Sequence, residues 1–101
     1  MHLIQLYLPV KKPDGSAFPP ESYSAVRQRL TEAFGGVTAY TRAPARGFWK
    51  EHGTVEVDDI FVFEVVVGVL DRFWWSDYLE HLKRSFNQQS ILARAHVIEI
   101  L

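Results

Sequence analysis

The sequence contains no cysteine, so disulfide bonds and thiolate chemistry are excluded. It also lacks an excess of positive charge, because 11 Lys and Arg stand against 12 Asp and Glu, for a formal net charge of −1. A chain without surplus positive charge is poorly suited to neutralise phosphates, so we expect no nucleic-acid partner. No apolar run approaches the ~20 residues of a membrane span, and residues 1–6 lack the pattern of a signal peptide. We therefore expect a cytoplasmic protein without membrane contact.

What the sequence does contain is a large share of apolar side chains. Hydrophobic residues make up 48% of its 101 positions and aromatic residues 14%. A chain of this length fits a single domain, residues 1–101, whose own core is modest. Part of the apolar surface is therefore expected to be covered by a partner.

Hydrophobic periodicity divides the chain into strands and helices. Apolar residues alternate in the strands and recur at helical spacing after Pro20 and after Asp71. Gly35 and Gly36 end the first helix, and Asp71 is suited to cap the second. A small hairpin is expected around His52-Gly53. The predicted strands are residues 3–8, 37–42, 60–67 and 91–100.

This order, β-α-β-β-α-β, predicts an α+β ferredoxin-like domain. Its four-stranded antiparallel sheet carries both helices on one face, in the usual strand order 4-1-3-2, with the small hairpin added after the second strand. The strand 60–67 is apolar on both faces except at Glu64, which is typical of a strand buried on both sides. Because the helices cover only one face, we expect a homodimer through the open sheet face.

Two segments carry a family resemblance. Residues 34–49, FGGVTAYTRAPARGFW, and residues 58–65, DDIFVFEV, resemble an uncharacterised family of short bacterial proteins. That resemblance implies a ferredoxin-like fold and brings no established activity. The topology is also loosely similar to the dimeric α+β barrel superfamily, in which two sheets pack face to face and small ligands often lie between sheet and helices. Fold alone does not determine function.

The predicted open sheet face carries the first candidate site. A central carboxylate, Glu64, is costly on an apolar surface unless it is paired. It is either an acid, a base or a ligand anchor, or a structural partner of Arg42, Tyr7 or a residue across the dimer. The candidate ligand-binding residues on this face are Gln5, Tyr7, Tyr40 and Arg42.

The second candidate site is the predicted hairpin. Arg42, Arg46 and Trp49 place guanidinium groups beside an aromatic ring, together with Phe48. Such a set binds a planar or anionic ligand, or it clasps a partner subunit, since Trp and Arg are frequent interface anchors. Both interpretations stay open from the sequence.

The histidines predict neither a metal site nor a cofactor site. Asp77 and His81 lie one helical turn apart, but no third ligand is visible, so a solvated pair explains them. His96 lies within the last strand, where it is a structural residue or a candidate base. No phosphate-binding glycine loop and no metal or cofactor motif is present.

Two functional hypotheses follow. The first is a non-enzymatic homodimeric domain that binds a small molecule or another protein. The alternative is a cofactor-independent oxygenase or isomerase that acts on a small, partly aromatic substrate. In that enzyme Glu64 or His96 would be the base, Tyr7 and Tyr40 would orient the substrate, and Arg42 would hold an anion. An enclosed cavity of about 300 Å³ or more beside Glu64 would favour the enzyme.

Overall fold

The computed structural model describes residues Met1–Leu101. It contains four strands and two helices in the predicted order. The elements are β1 (His2–Pro9), α1 (Pro20–Phe34), β2 (Thr38–Glu51), β3 (Thr54–Val67), α2 (Arg72–Ser85) and β4 (Ala93–Val97).

The four strands form one sheet in the order β2-β3-β1-β4. Each neighbouring pair is antiparallel, so β1 and β3 are the two central strands. The prediction of an α+β ferredoxin-like arrangement is therefore confirmed, including its strand order.

The core lies between the sheet and the helices. Ile4, Leu6 and Leu8 alternate along β1 and are at most 3% exposed, whereas the residues between them remain partly exposed. Phe63 of β3 is fully buried on the same side. Strand alternation thus separates a helix-covered face from an open face. The helical side of the core consists of Tyr23, Val26, Leu30, Trp75, Tyr78 and Leu82, with Phe86 directly after α2.

Both helix ends that the sequence indicated are present. The side chain of Asp71 accepts a hydrogen bond of 3.0 Å from the backbone N–H of Trp74, which satisfies a free donor at the start of α2. Gly35 follows α1 with φ +85°, and its N–H donates to the Thr31 carbonyl. This left-handed cap ends the helix at the predicted place.

The predicted small hairpin is the outer part of one long hairpin rather than an additional element. β2 and β3 are 14 residues each, and they pair from Thr38 to the turn at His52-Gly53. The expected break at residues 43–47 is a register shift between Tyr40 and Ala45. A β-bulge allows a strand to bend and continue, and Pro44 is tolerated because β2 is an edge strand.

The last strand is shorter than predicted. It covers Ala93–Val97, because only residues His2–Leu6 of β1 offer it partners. Neither helix combines the length and the apolarity that crossing a membrane would require.

Candidate functional site

The open face has a row of three polar side chains at its centre. Gln5 of β1 is the direct ladder partner of Glu64 on β3 and of Arg94 on β4. Residues that pair across strands share a face, so all three side chains rise from the open side of the sheet. With neighbouring strands about 4.8 Å apart, Glu64 and Arg94 stand about 10 Å apart on either side of Gln5.

Glu64 is held by neutral donors within the chain. The Gln5 amide Nε2 donates to Glu64 Oε1 over 2.9 Å, and the Tyr40 hydroxyl donates to Oε2 over 3.2 Å. The negative charge of Glu64, followed by this hydrogen bond and by desolvation, raises the pKa of Tyr40. Tyr40 therefore stays a protonated hydrogen-bond donor at neutral pH.

The carbonyl oxygen of Gln5 is the acceptor at the centre of the row. It accepts from the Tyr7 hydroxyl over 3.1 Å and from the Arg94 guanidinium over 3.1 Å. His96 Nε2 lies 3.2 Å from the same oxygen, and it donates when it carries its proton. Arg94 also donates to the Tyr7 hydroxyl, and its guanidinium lies 5.1 Å from the centre of the Tyr7 ring. These contacts form one connected network, the open-face cluster of Gln5, Tyr7, Tyr40, Glu64, Arg94 and His96.

The two charges of the open-face cluster have no counter-charge in the chain. The ion pairs of the protein join Arg46 to Asp59, His52 to Glu51, and Lys83 to Glu80. Glu64 and Arg94 belong to none of these pairs. The cluster thus presents one unpaired carboxylate and one unpaired guanidinium on the same open surface.

Apolar side chains surround the open-face cluster. Ile60, Val62 and Val66 alternate with Glu64 along β3 on the open side, and Val66 is 42% exposed. The open face continues onto the hairpin, where the ring of Trp49 lies over Gly47 beside Ile60. A Cβ at Gly47 would lie 2.9 Å from both Trp49 Cζ3 and Ile60 Cδ1, so only glycine permits this close approach.

The structure brings together five of the residues predicted for the sites. Four come from β1, β2 and β3, and His96 joins them from β4. Their role in binding or catalysis stays a prediction. The five are Gln5, Tyr7, Tyr40, Glu64 and His96.

The remaining predicted residues do not join the open-face cluster. Arg42 lies in the irregular stretch of β2 and is exposed, without a side-chain hydrogen bond or ion pair. Arg46 pairs with Asp59 at 3.4 Å, and its ladder position places it on the opposite face of the hairpin from Trp49. The hairpin therefore does not gather Arg46 and Trp49 into one site.

Sequence reasoning missed Arg94. A signal was available, because Arg94 and His96 are two residues apart in a strand and must share a face. The alternation alone does not reveal which residue of β1 is opposite Arg94. That pairing depends on the register of β4 against β1.

The larger cavities of the chain lie away from Glu64. A groove of about 850 Å³ runs between the outer sides of α1 and α2, past Trp74 and His81. A second cavity of about 360 Å³ opens between α2 and β4, over Trp75 and Ala93. Neither is lined by Glu64, so any substrate chamber beside this carboxylate would need walls from a second molecule. No group of three or more His, Asp or Glu residues is placed to hold a metal ion.

Comparison with known proteins identifies relatives in fold. No protein-family model and no curated protein sequence matches the chain. Among solved structures, it is similar to the divalent cation tolerance protein CutA1 of Thermus thermophilus, with a TM-score of 0.65 and 14% identity over 97% of this chain and 84% of that one. The periplasmic divalent cation tolerance protein CutA of Archaeoglobus fulgidus gives a TM-score of 0.65 and 18% identity over 99% and 86% of the two chains.

A third fold neighbour is an enzyme. A phage SAM lyase in complex with S-methyl-5′-thioadenosine has a TM-score of 0.62 and 10% identity, over 94% of this chain and 79% of that one. Identities this low establish a shared fold and nothing further. The same architecture thus occurs in proteins named for cation tolerance and in a lyase, so function has to be argued from the side chains.

Proposed function

We propose that residues 1–101 form one non-enzymatic homodimeric binding domain, in which the open sheet face binds a second copy of the chain. The observation that carries this proposal is the composition of that face. Apolar side chains, among them Val66 at 42% exposure, surround a hydrogen-bonded network with two unpaired charges. Such a surface is stabilised when a partner removes its apolar part from water.

The hairpin supplies the second part of the proposal. Phe48 is 65% and Trp49 is 44% exposed, and Arg42 is free of a carboxylate partner. The hairpin therefore either clasps the second copy or holds a small planar anion or another protein. The continuity of Trp49 with Ile60 on the open face favours the clasp.

The mass of the protein in solution tests the dimer. Sedimentation at micromolar concentration is expected to give a dimer for the wild type. Val66→Lys places a charge on the open face and is expected to give a folded monomer, whereas Val69→Lys, at an 85% exposed loop position, is expected to leave the dimer intact. A wild-type monomer at every concentration would contradict the proposal.

The two roles of the hairpin are separated by a second variant. Trp49→Ser is expected to weaken the dimer if the hairpin is a clasp. An unchanged dimer would leave the hairpin free for a ligand. Circular dichroism of the variant provides the folding control.

The enzymatic alternative rests on Glu64 and His96, which meet at Gln5 in the open-face cluster. Its substrate chamber would have to form between two copies, because neither large cavity of one chain includes Glu64. A dimer structure with an enclosed cavity at Glu64, together with turnover that Glu64→Gln abolishes, would establish the enzyme. A dry interface would exclude it.

A cytoplasmic location is also part of the proposal. It is supported by the sequence of residues 1–6, which has no charged region followed by an apolar run. One fold neighbour carries the word periplasmic in its name, so the location requires a direct test. Fractionation of source cells, with detection by antibody, supplies that test.

A further inference from the structure

We propose that Glu64 forms an ion pair with Arg94 of the partner subunit, and that the symmetry of the dimer makes this contact twice. The inference rests on the proposed homodimer and specifies what joins its two halves. It starts from the two charges of the open-face cluster that lack a counter-charge within the chain.

The placement of these charges is self-complementary. Glu64 and Arg94 lie in one row, on β3 and β4, with β1 and its Gln5 between them. A two-fold axis that runs parallel to β1, midway between two facing sheets, exchanges the β3 side with the β4 side. Each Glu64 then faces an Arg94 across the interface, and the two contacts are equivalent, as a two-fold interface requires.

The distance across such an interface suits these side chains. Sheets that pack face to face are about 10 Å apart. A glutamate from one sheet and an arginine from the other span such a gap together, and the planar guanidinium can bind the carboxylate with two hydrogen bonds. The shorter Gln5 stays within its own sheet and continues to hold both charged groups in position.

Desolvation decides why the partner must supply a charge. Covering Glu64 or Arg94 with an apolar surface would leave a buried charge that is only hydrogen-bonded to neutral groups, at a cost of several kcal/mol. A second copy offsets that cost at both charges at once. Arg42 does not serve this purpose, because it lies on β2, two strands from β1, and the same axis would carry it past the edge of the facing β4.

Charge reversal tests the pairing. Glu64→Arg places two positive groups opposite each other, and Arg94→Glu places two negative groups opposite each other. Each single variant is expected to raise the dimer dissociation constant at least about 100-fold. An equimolar mixture of the two variants restores complementary charges in both contacts, and the double variant E64R/R94E restores them within one sequence. Sedimentation equilibrium of the four samples measures this, with Arg84→Glu on the exposed side of α2 as a charge control.

The restoring samples exclude misfolding as an explanation, since unfolded variants do not rescue each other. Recovery of the dimer in the mixture and in the double variant would support the pairing. Single variants that dimerise like the wild type, or folded variants that stay monomeric in the mixture, would overturn it. In both of those cases the wild-type dimer still stands, whereas a monomeric wild type refutes the proposed dimer itself.

Discussion

Gln5 and Glu64 are directly opposite each other in the β1–β3 ladder, and the Gln5 amide donates a 2.9 Å hydrogen bond to the Glu64 carboxylate. The other end of the same amide accepts from Tyr7 and Arg94. One neutral side chain therefore connects an anion on one neighbouring strand with a cation on the other. This bridge keeps the two charges of the open-face cluster fixed on the surface and separate from each other.

Replacing Gln5 with methionine is expected to lower the free energy of unfolding by about 1–2 kcal/mol, because Glu64, Tyr7 and Arg94 each lose a hydrogen-bond partner. Urea unfolding at one fixed protein concentration measures the change. Gln89→Met is the matched control, since Gln89 is exposed in the turn after α2. Equal effects at the two positions would show that the bridge does not contribute to stability.

Phe63 and Phe73 allow the same substitution to be compared in the core and on the surface. Phe63 is 0% exposed in β3, whereas Phe73 is 90% exposed in α2. Phe63→Ala is expected to cost about 3–5 kcal/mol through lost burial and a cavity. Phe73→Ala is expected to change stability by less than about 0.5 kcal/mol. Thermal and urea unfolding of both variants check this, and a small loss for Phe63→Ala would contradict the assigned core.

Two consecutive glycines differ in backbone conformation and so predict different costs. Gly35 has φ +85°, while the φ of Gly36 lies outside the left-handed region, and neither position is crowded. Gly35→Ala is expected to destabilise the protein by about 1–2 kcal/mol, because a Cβ disfavours the left-handed cap of α1. Gly36→Ala is the control and is expected to be near neutral. Similar unfolding midpoints for both variants would be incompatible with this cap.

Tyr78 predicts a loss of stability in strongly alkaline solution. Burial raises the pKa of Tyr78 from 10.0 to about 12, and the positive charge of Arg29 opposes that shift to a lesser extent. Between these two pH values the unfolded chain releases the phenolic proton before the folded chain does. The contribution of Tyr78 to the free energy of unfolding is therefore complete below pH 10 and decreases as the pH rises to about 12.

Tyr78→Phe removes the ionisable group and is expected to make the decline in this alkaline range less steep than in the wild type. Urea unfolding at a series of pH values provides both curves. Parallel curves would show that the hydroxyl of Tyr78 does not titrate differently in the folded and unfolded states.

Local features of the fold were predictable because they depend on neighbours in the sequence. Alternation in β1 correctly separated Ile4, Leu6 and Leu8 from the open side. The cap at Asp71 and the stop at Gly35 were also correct, since each requires one residue type at one backbone position. The length of the hairpin was not predictable, because Pro44 and Gly47 are typical of a break when no partner strand is in view.

The candidate site was only partly predictable for the same reason. Glu64, Gln5, Tyr7 and Tyr40 were assigned to one face by alternation, and the structure joins them by hydrogen bonds. Alternation also grouped Arg42 with them, although the bulge takes that residue out of the regular ladder.

By itself, the sequence determined which side of each strand is apolar, where the helices start and stop, and that one sheet face exceeds what the helices can cover. These properties follow from side-chain period and backbone preference, which act over a few residues. Only the tertiary structure decided that Arg94 stands opposite Gln5 and that Arg46 and Trp49 point to opposite faces of the hairpin. Register between strands distant in the chain is set by the packing of the whole sheet, and a shift of one residue would reverse every such assignment.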